Sequence, residues 1–228
     1  TLKNYATTAD CAAVVKANAY GLGMEQVAHA LYNDANCNVF FVANLIEAIT
    51  LRAILKDAVI YVFNGLFPDQ VDTYLEHDIR PVLNDLSQVN LWKGQKAPCA
   101  VHFDTGINRL GLSEDETDIF LNEKHDLNLS LILSHLIQSE IANHPSNEMQ
   151  LDNFSRIRFM LHDTPASLSN SAGIYLGPDY HFDLLRPGIM LYGGHPGLPR
   201  LVELGVRCVG FRCPLCQTSP RYIQTSET

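Results

Sequence analysis

Positive charge is scarce in this chain. Its 228 residues carry 16 Lys and Arg against 25 Asp and Glu, a formal net charge of −9, and the basic residues form no run. That balance argues against nucleic acid or an anionic membrane surface as the main partner. No apolar stretch is long enough to span a bilayer, and the first residues lack the charged-then-apolar order of a signal peptide. Internal repeats and low-complexity segments are absent as well. Of the six cysteines, only Cys213 and Cys216 have C-x-x-C spacing, with neither a second pair nor histidines at metal spacing, which argues against zinc. Cys11 and Cys99 lie in apolar, strand-like runs, as reduced buried cysteines do, and the cytoplasm is the expected compartment.

What is present is a steady alternation. From Cys11 to Gly188, short apolar runs are followed by longer amphipathic ones. Strands are expected at 11–17, 40–45, 59–64, 80–83, 99–104, 129–135, 166–170 and 182–186. Helices are expected at 24–35, 46–56, 68–76, 87–93, 114–124 and 149–161, with a short, weak one at 171–176. Pro68-Asp69 suits a first helical turn, Ser113 with Glu116 has capping-box spacing, and Gly94 sits where a helix ends. Eight strand-then-helix units in under ~250 residues predict an α/β fold, a (β/α)8 TIM barrel over residues 1–194, in preference to an open doubly wound sheet. A Pro/Gly linker at 195–199 leads into short β-type pieces at 206–211 and 222–224. Residues 195–228 therefore read as the first strands of an incomplete β domain.

Barrel active sites gather at the C-terminal ends of strands. The first strand ends in Lys16, a residue seldom buried without a partner, with Tyr20 just beyond. The fifth ends in Asp104 and Arg109, the sixth in His135, the seventh in Asn170-Ser171, and the eighth in Arg186-Pro187-Gly188-Ile189 with Tyr192 nearby. Loops after the last two strands commonly cradle phosphate, for which Ser171, Gly188 and Ile189 supply a hydroxyl and backbone N–H groups. A lone lysine across the mouth from such a cradle suggests a Schiff base with pyridoxal phosphate. Burial near Arg186 or Arg109 would keep its amine neutral. Each residue also has a plainer reading. Tyr20 can pack, Asp104 can cap its loop, Arg109 can form an ion pair, His135 can be a core histidine, Ser171 can cap a helix, and Arg186 can pair with Asp183. His102 is taken as structural, out of phase with Asp104.

Four motifs, AVVKANAYGLG, HFDTGINRLGL, SNSAG and FDLLRPGIMLYG, resemble those of alanine racemase, a pyridoxal-phosphate enzyme of the fold-type III barrel class, in order from Cys11 to Gly194. The resemblance implies that Lys16 binds the cofactor covalently and acts as one of two bases. Tyr20, Ser171, Gly188 and Ile189 would hold the phosphate. Arg186 would donate to the pyridine nitrogen, His135 and Asn170 would lie beside the ring, and Arg109 would bind the substrate carboxylate. It further implies alanine as substrate, D-alanine for peptidoglycan, a homodimer at full length, and a carbamylated lysine in many members where His102 stands. The second base, a tyrosine of the family's β domain, is expected beyond Thr228, and an initial strand and most of a first helix before Cys11. Two further expectations stand beside this one: a non-catalytic cofactor-carrying barrel, and an inactive remnant.

Overall fold

The structure is a computed structural model, and it describes residues 8–123 and 125–194. The expected pieces at 206–211 and 222–224, and the cysteines at 208, 213 and 216, lie outside the described residues. Nine short strands run in chain order: β1 (Asp10–Cys11), β2 (Ala13–Val14), β3 (Val39–Val42), β4 (Val59–Val62), β5 (Arg80–Leu83), β6 (Pro98–His102), β7 (Asn128–Leu133), β8 (Ala166–Ser167) and β9 (Leu184–Leu185). All pairings are parallel, and β2 to β8 are neighbours in sequence order. β1 and β2 are one strand interrupted at Ala12, so they correspond to the first of eight expected strands.

The barrel closes because that first strand also pairs with the last. Asp10, Ala12 and Val14 donate backbone N–H bonds to the carbonyls of Asp183, Leu185 and Pro187 at 2.9, 2.9 and 3.0 Å. On the other side of β9, Asp183 and Arg186 donate to Ala166 and Ser169, both at 3.0 Å. All eight expected strands are therefore found in a closed (β/α)8 arrangement, several of them one to three residues shorter than expected.

Strands buried on both faces read as continuous apolar runs, and the two faces separate into two cores. Phe40, Val42, Ile60, Val62, Cys99, Val101 and Phe103 pack outward against helix residues such as Leu51, Tyr74, Trp92 and Phe154. The alternate positions Ala12, Val14, Phe41, Tyr61, Val82, Ala100, Leu131, Leu133 and Leu184 fill the interior. Phe41 stacks between Tyr61 and Phe63, with ring centroids 5.0 Å apart in both pairs. This aromatic floor lies beneath the polar groups at the strand ends.

Helices cover the outside at Met24–Asn33, Leu45–Ile54, Val71–Glu76, Leu86–Trp92, Glu114–Asn122 and Pro145–Met160. Ser113 and Glu116 form the expected capping box, and Gly94 adopts a left-handed φ of +82° just past Lys93, the C-cap of the helix Leu86–Trp92. Pro68 does not begin a helix. Residues 68–70 form a turn, and the helix starts at Val71. The last two units are reduced to 3-10 turns, Gly173–Tyr175, Pro178–Tyr180 and Ile189–Tyr192.

The largest departure from expectation follows Val15. Residues 16 and 17 do not extend the strand. Ala17, Asn18, Ala19 and Tyr20 instead have φ of +52°, +53°, +54° and +55°, forming a left-handed turn that ends at Gly21. Each such residue other than glycine costs about 1–2 kcal/mol, less for asparagine, so the surrounding packing must hold the turn in place.

Phe41→Ala removes the middle ring of the interior stack. We expect it to cost about 3–5 kcal/mol of stability, measured by urea unfolding, and a loss below about 1 kcal/mol would mean that the stack carries little of the core.

Candidate active site

Above the aromatic floor, to which Phe63 belongs, the strand-end positions on the interior face are Lys16, Asn84, His102, His135 and Arg186. Lys16 stands at the end of the first strand with its Nζ 6.0 Å from the Phe63 ring centroid. It forms no hydrogen bond or ion pair among the described residues. Burial lowers its pKa, the Arg109 guanidinium lowers it further, and Glu47 opposes them. The expected depression is present, although Arg186 is not among its causes.

Arg186 is 3% exposed and has no carboxylate partner among the described residues. Its Nη1 donates to Ser167 Oγ and its Nη2 to the carbonyls of Ser134 and Leu168, while Nε makes no bond among the described residues. Burial pushes the guanidinium down to about 9, still charged at neutral pH. Asp183, the suggested partner, instead meets Arg158 at 3.5 Å and the backbone N–H of Ala166 at 2.7 Å. Arg109 is exposed and likewise unpaired among the described residues. Asp104 caps the loop that carries it, one oxygen accepting from the N–H groups of Gly106, Ile107 and Asn108 at 2.9, 2.9 and 3.1 Å. Three cations that form no ion pair among the described residues therefore converge on one mouth.

Across from Lys16, Ser171 Oγ accepts from the N–H of Gly188 at 2.9 Å and of Met190 at 3.5 Å. The N–H of Ile189 donates to nothing among the described residues. The hydroxyl of Tyr20 lies so close to Gly188 that a Cβ there would overlap it. The Tyr20 ring is 4.9 Å from that of Tyr192, whose own hydroxyl donates to the Val14 carbonyl at 2.7 Å. Tyr20, Ser171, Gly188 and Ile189 are thus brought together, with a hydroxyl, free or exchangeable N–H groups and no acid. Such a set can accept an anion such as phosphate.

Asn170 does not offer its amide to the mouth. Its Oδ1 accepts from Ser139 Oγ and from the Gly173 N–H, both at 2.9 Å, and its Nδ2 donates to Leu136 at 3.4 Å. The residue shapes the loops instead. The His135 imidazole makes no hydrogen bond among the described residues, while its carbonyl accepts from Gln150 Nε2 at 2.9 Å. Burial drives its pKa well below the usual histidine value, helped by Arg186, Arg109, His102 and Lys16.

His102 is not out of phase. Residues two apart on a strand share a face, so His102 points inward and takes part in this electrostatic cluster. Its Nδ1 lies 3.0 Å from Asn84 Oδ1. Both hydrogens of that amide are occupied by the carbonyls of Phe63 and Val82, each at 2.9 Å. Asn84 can therefore only accept from the histidine, which fixes the proton on Nδ1. Nε2 is left as a buried lone pair without a partner among the described residues. Burial and Arg186 push its pKa down to about 3, Asp104 opposing and Arg109 adding to them.

Sequence reasoning missed Asn84, Ser167, Gln150 and Glu47. Only Glu47 left a visible signal, the capping-box spacing with Asn44. Its carboxylate does not close that box. It accepts from the backbone N–H of Ala17 at 2.6 Å and of Ala43 at 2.8 Å.

Three comparisons bear on this mouth. The family model "Alanine racemase, N-terminal domain" matches residues 1–196. An alanine racemase of Rickettsia prowazekii is 45% identical over 202 residues, which are 84% of this chain and 50% of that protein. One from Methylobacterium nodulans is 44% identical over 84% of this chain and 54% of its own length. The chain spans about half the length of these curated relatives. Among solved structures, the alanine racemase of Bartonella henselae with covalently bound pyridoxal phosphate superposes with a TM-score of 0.82 at 39% identity, covering 86% of this chain and 60% of that one. The biosynthetic alanine racemase of Pseudomonas aeruginosa gives 0.79 at 31% identity, over 90% of this chain and 59% of that one.

A histidine held neutral in the fold and free to protonate when unfolded makes stability fall with acid. The contribution of His102 is complete above its ordinary value of 6.5 and is lost as pH falls toward about 3. His102→Gln should narrow the gap between urea midpoints at about pH 7 and about pH 4.5. An equal gap in both proteins would exclude His102 as the titrating group.

Proposed function

Because the chain belongs to the alanine racemase N-terminal domain family, we propose that it forms the cofactor-binding barrel of a pyridoxal-phosphate-dependent enzyme interconverting L- and D-alanine. The observation that carries this reading is an unpaired, pKa-lowered Lys16 in the same mouth as the cradle of Tyr20, Ser171, Gly188 and Ile189. The residues fit the group on their own chemistry. A dianionic phosphate suits a pocket with three cations and no free carboxylate, and a covalent anchor requires a lysine that can shed its proton.

When bound, the pyridoxal group supplies an electron sink that acidifies the Cα–H of an attached amino acid. Lys16 would hold the group covalently, and its amine would be the base that moves the proton on one face of Cα. Tyr20, Ser171 and the backbone of Gly188 and Ile189 hold the phosphate. Arg186, charged and with Nε unengaged among the described residues, would donate to the ring nitrogen. At neutral pH the guanidinium keeps its proton, so the ring nitrogen would remain an acceptor and the sink that the group supplies would be a mild one. Arg109 binds the substrate carboxylate, and His135, held neutral, lies beside the ring. Asn170 fixes the loops around it. Racemisation also needs a proton donor on the opposite face, a role that we give to none of the described residues. On the same reading, the whole enzyme is a cytoplasmic homodimer that supplies D-alanine for peptidoglycan.

Borohydride treatment of the chain with pyridoxal phosphate should leave one adduct, on Lys16, detected by peptide mass, and Lys16→Ala should leave none. No adduct on the unaltered chain would remove the basis of this reading. In a racemase carrying this barrel, Lys16→Ala should lower kcat on the order of 10³-fold or more.

Gly188→Ala places a methyl group where the Tyr20 hydroxyl lies. We expect roughly tenfold weaker cofactor binding, the scale of one lost hydrogen bond to a charged group, read by fluorescence titration. Unchanged affinity would mean that Tyr20 does not hold the phosphate.

A further inference from the structure

The turn between Lys16 and Tyr20 is improbable on local grounds. Five consecutive residues, Ala17 to Gly21, have positive φ, and only the last is glycine. A run of this kind persists only where its surroundings over-determine it. At its far end the ties are many. Gly21 donates to the carbonyls of Ala17 at 2.9 Å and Asn18 at 3.2 Å, Gly23 donates to Asn18 at 3.0 Å, and the Asn18 side chain accepts from Met24 at 2.8 Å. At the near end, next to Lys16, the turn has one backbone tie, from the Ala19 N–H to the Val15 carbonyl at 2.9 Å, and one side-chain tie, the 2.6 Å bond from the Ala17 N–H to Glu47 Oε1.

That tie is built across strands. The last ladder bond between the first two strands runs from the Val15 N–H to the Phe41 carbonyl at 2.9 Å. Beyond it the chains diverge, into the left-handed turn on one side and toward the helix Leu45–Ile54 on the other. The next two N–H groups, of Ala17 and Ala43, have no carbonyl to meet. Glu47 takes both, one with each carboxylate oxygen. Its own N–H is satisfied by the Asn44 side chain at 3.0 Å, so its place on the first helical turn is fixed and its reach is set. A carboxylate bridging two strand ends is an expensive choice next to a lysine that must lose a proton, since it raises the pKa of Lys16. Helix capping does not account for it, because the carboxylate bypasses the cap.

We propose that Glu47 is a positioning residue for Lys16: by clasping the N–H groups of Ala17 and Ala43 it fixes the start of the left-handed turn, and so sets Lys16 and Tyr20 on the same mouth. The importance given to Lys16 rests on the function proposed above; the clasp itself does not.

The test uses the full chain and the variants Glu47→Gln and Glu47→Ala. In the cofactor-free chain, amide exchange at Ala17 and Ala43 followed by NMR should speed up at least tenfold in Glu47→Ala and less in Glu47→Gln, which keeps one carbonyl oxygen. With pyridoxal phosphate added, the rate of borohydride-trapped adduct at Lys16 should fall in the same order. The pH midpoint of trapping should meanwhile shift down in both variants, because a negative charge beside Lys16 is gone while Arg109 and His135, the other titratable groups facing it, remain. The midpoint reports the lost charge; the trapping rate compared at equal fractions of neutral amine reports the positioning, and a merely structural role would leave that rate unchanged. If Glu47→Ala does not fold, the near-isosteric Glu47→Gln decides the outcome alone. Unchanged exchange at Ala17 overturns the proposal, as does faster exchange with an unaltered trapping rate at equal fractions of neutral amine. If the unaltered chain traps no cofactor while Ala17 exchange responds, the functional reading fails and the clasp stands.

Discussion

The bonds between the first strand and the last are the constraint on which the rest depends. Asp10, Ala12 and Val14 are tied to Asp183, Leu185 and Pro187, residues at opposite ends of the barrel sequence. The entropic cost of closing so long a loop grows only logarithmically with its length, whereas closure buries an entire interior core. Its register also decides the chemistry. With the Val14 N–H bonded to the Pro187 carbonyl, the next interior position on one strand is Lys16, and the chain on the other turns through Gly188. The hydroxyl of Tyr192 adds a second tie to the Val14 carbonyl. A slip of one residue would rotate Lys16 away from the interior and separate it from the cradle. The site is thus a consequence of strand pairing, since no local segment of the chain contains it.

The interior is graded. Below lie Phe41, Tyr61 and Phe63, stacked on one another; above lie charged and polar groups with few acids among them. Arg186 is buried without a counter-ion, and its charge is tolerated because a hydroxyl and two carbonyls receive its hydrogens. The consequence spreads to its neighbours. His102 and His135 stay neutral largely because they are buried beside this charge and that of Arg109. Neutral histidines contribute lone pairs and polarisability to the mouth without adding to its positive charge. An anion that enters meets cations that form no ion pair among the described residues.

Much of the fold was legible because strands buried on both faces cannot hide their apolar runs, and because turns and caps such as Ser113-Glu116 obey local rules. The cradle and Lys16 were legible for a different reason: the strand ends of a barrel are where polar residues converge, so their positions follow from the strand count. What escaped depended on partners distant in sequence. Glu47 looks like a capping residue until the Ala17 and Ala43 N–H groups are seen above the last ladder bond. Asn170 reads as a ligand until its amide is found turned to Ser139, Leu136 and Gly173. His102 was misjudged on phase, where the period of two puts it on the same face as Asp104. The left-handed turn was illegible because Ala-Asn-Ala-Tyr gives no sign of positive φ apart from its asparagine.

That turn exposes a tension in the design of the lysine's surroundings. A lysine that must act as a nucleophile needs a neutral amine, which burial and Arg109 promote. It also needs a fixed backbone, and the group that fixes it is a carboxylate, which pulls the amine the other way. The conflict is limited by how the carboxylate is used. Both of its oxygens accept backbone N–H groups, whose positive ends draw its charge toward the peptide chain. Among the influences on Lys16, burial ranks first and Glu47 last. The net direction is therefore downward. A carboxamide would leave the amine more acidic still, but it could clasp only one of the two strand ends, and the strained turn beside Lys16 would lose half of its anchor. Rigidity and acidity are both served by keeping the acid and occupying it.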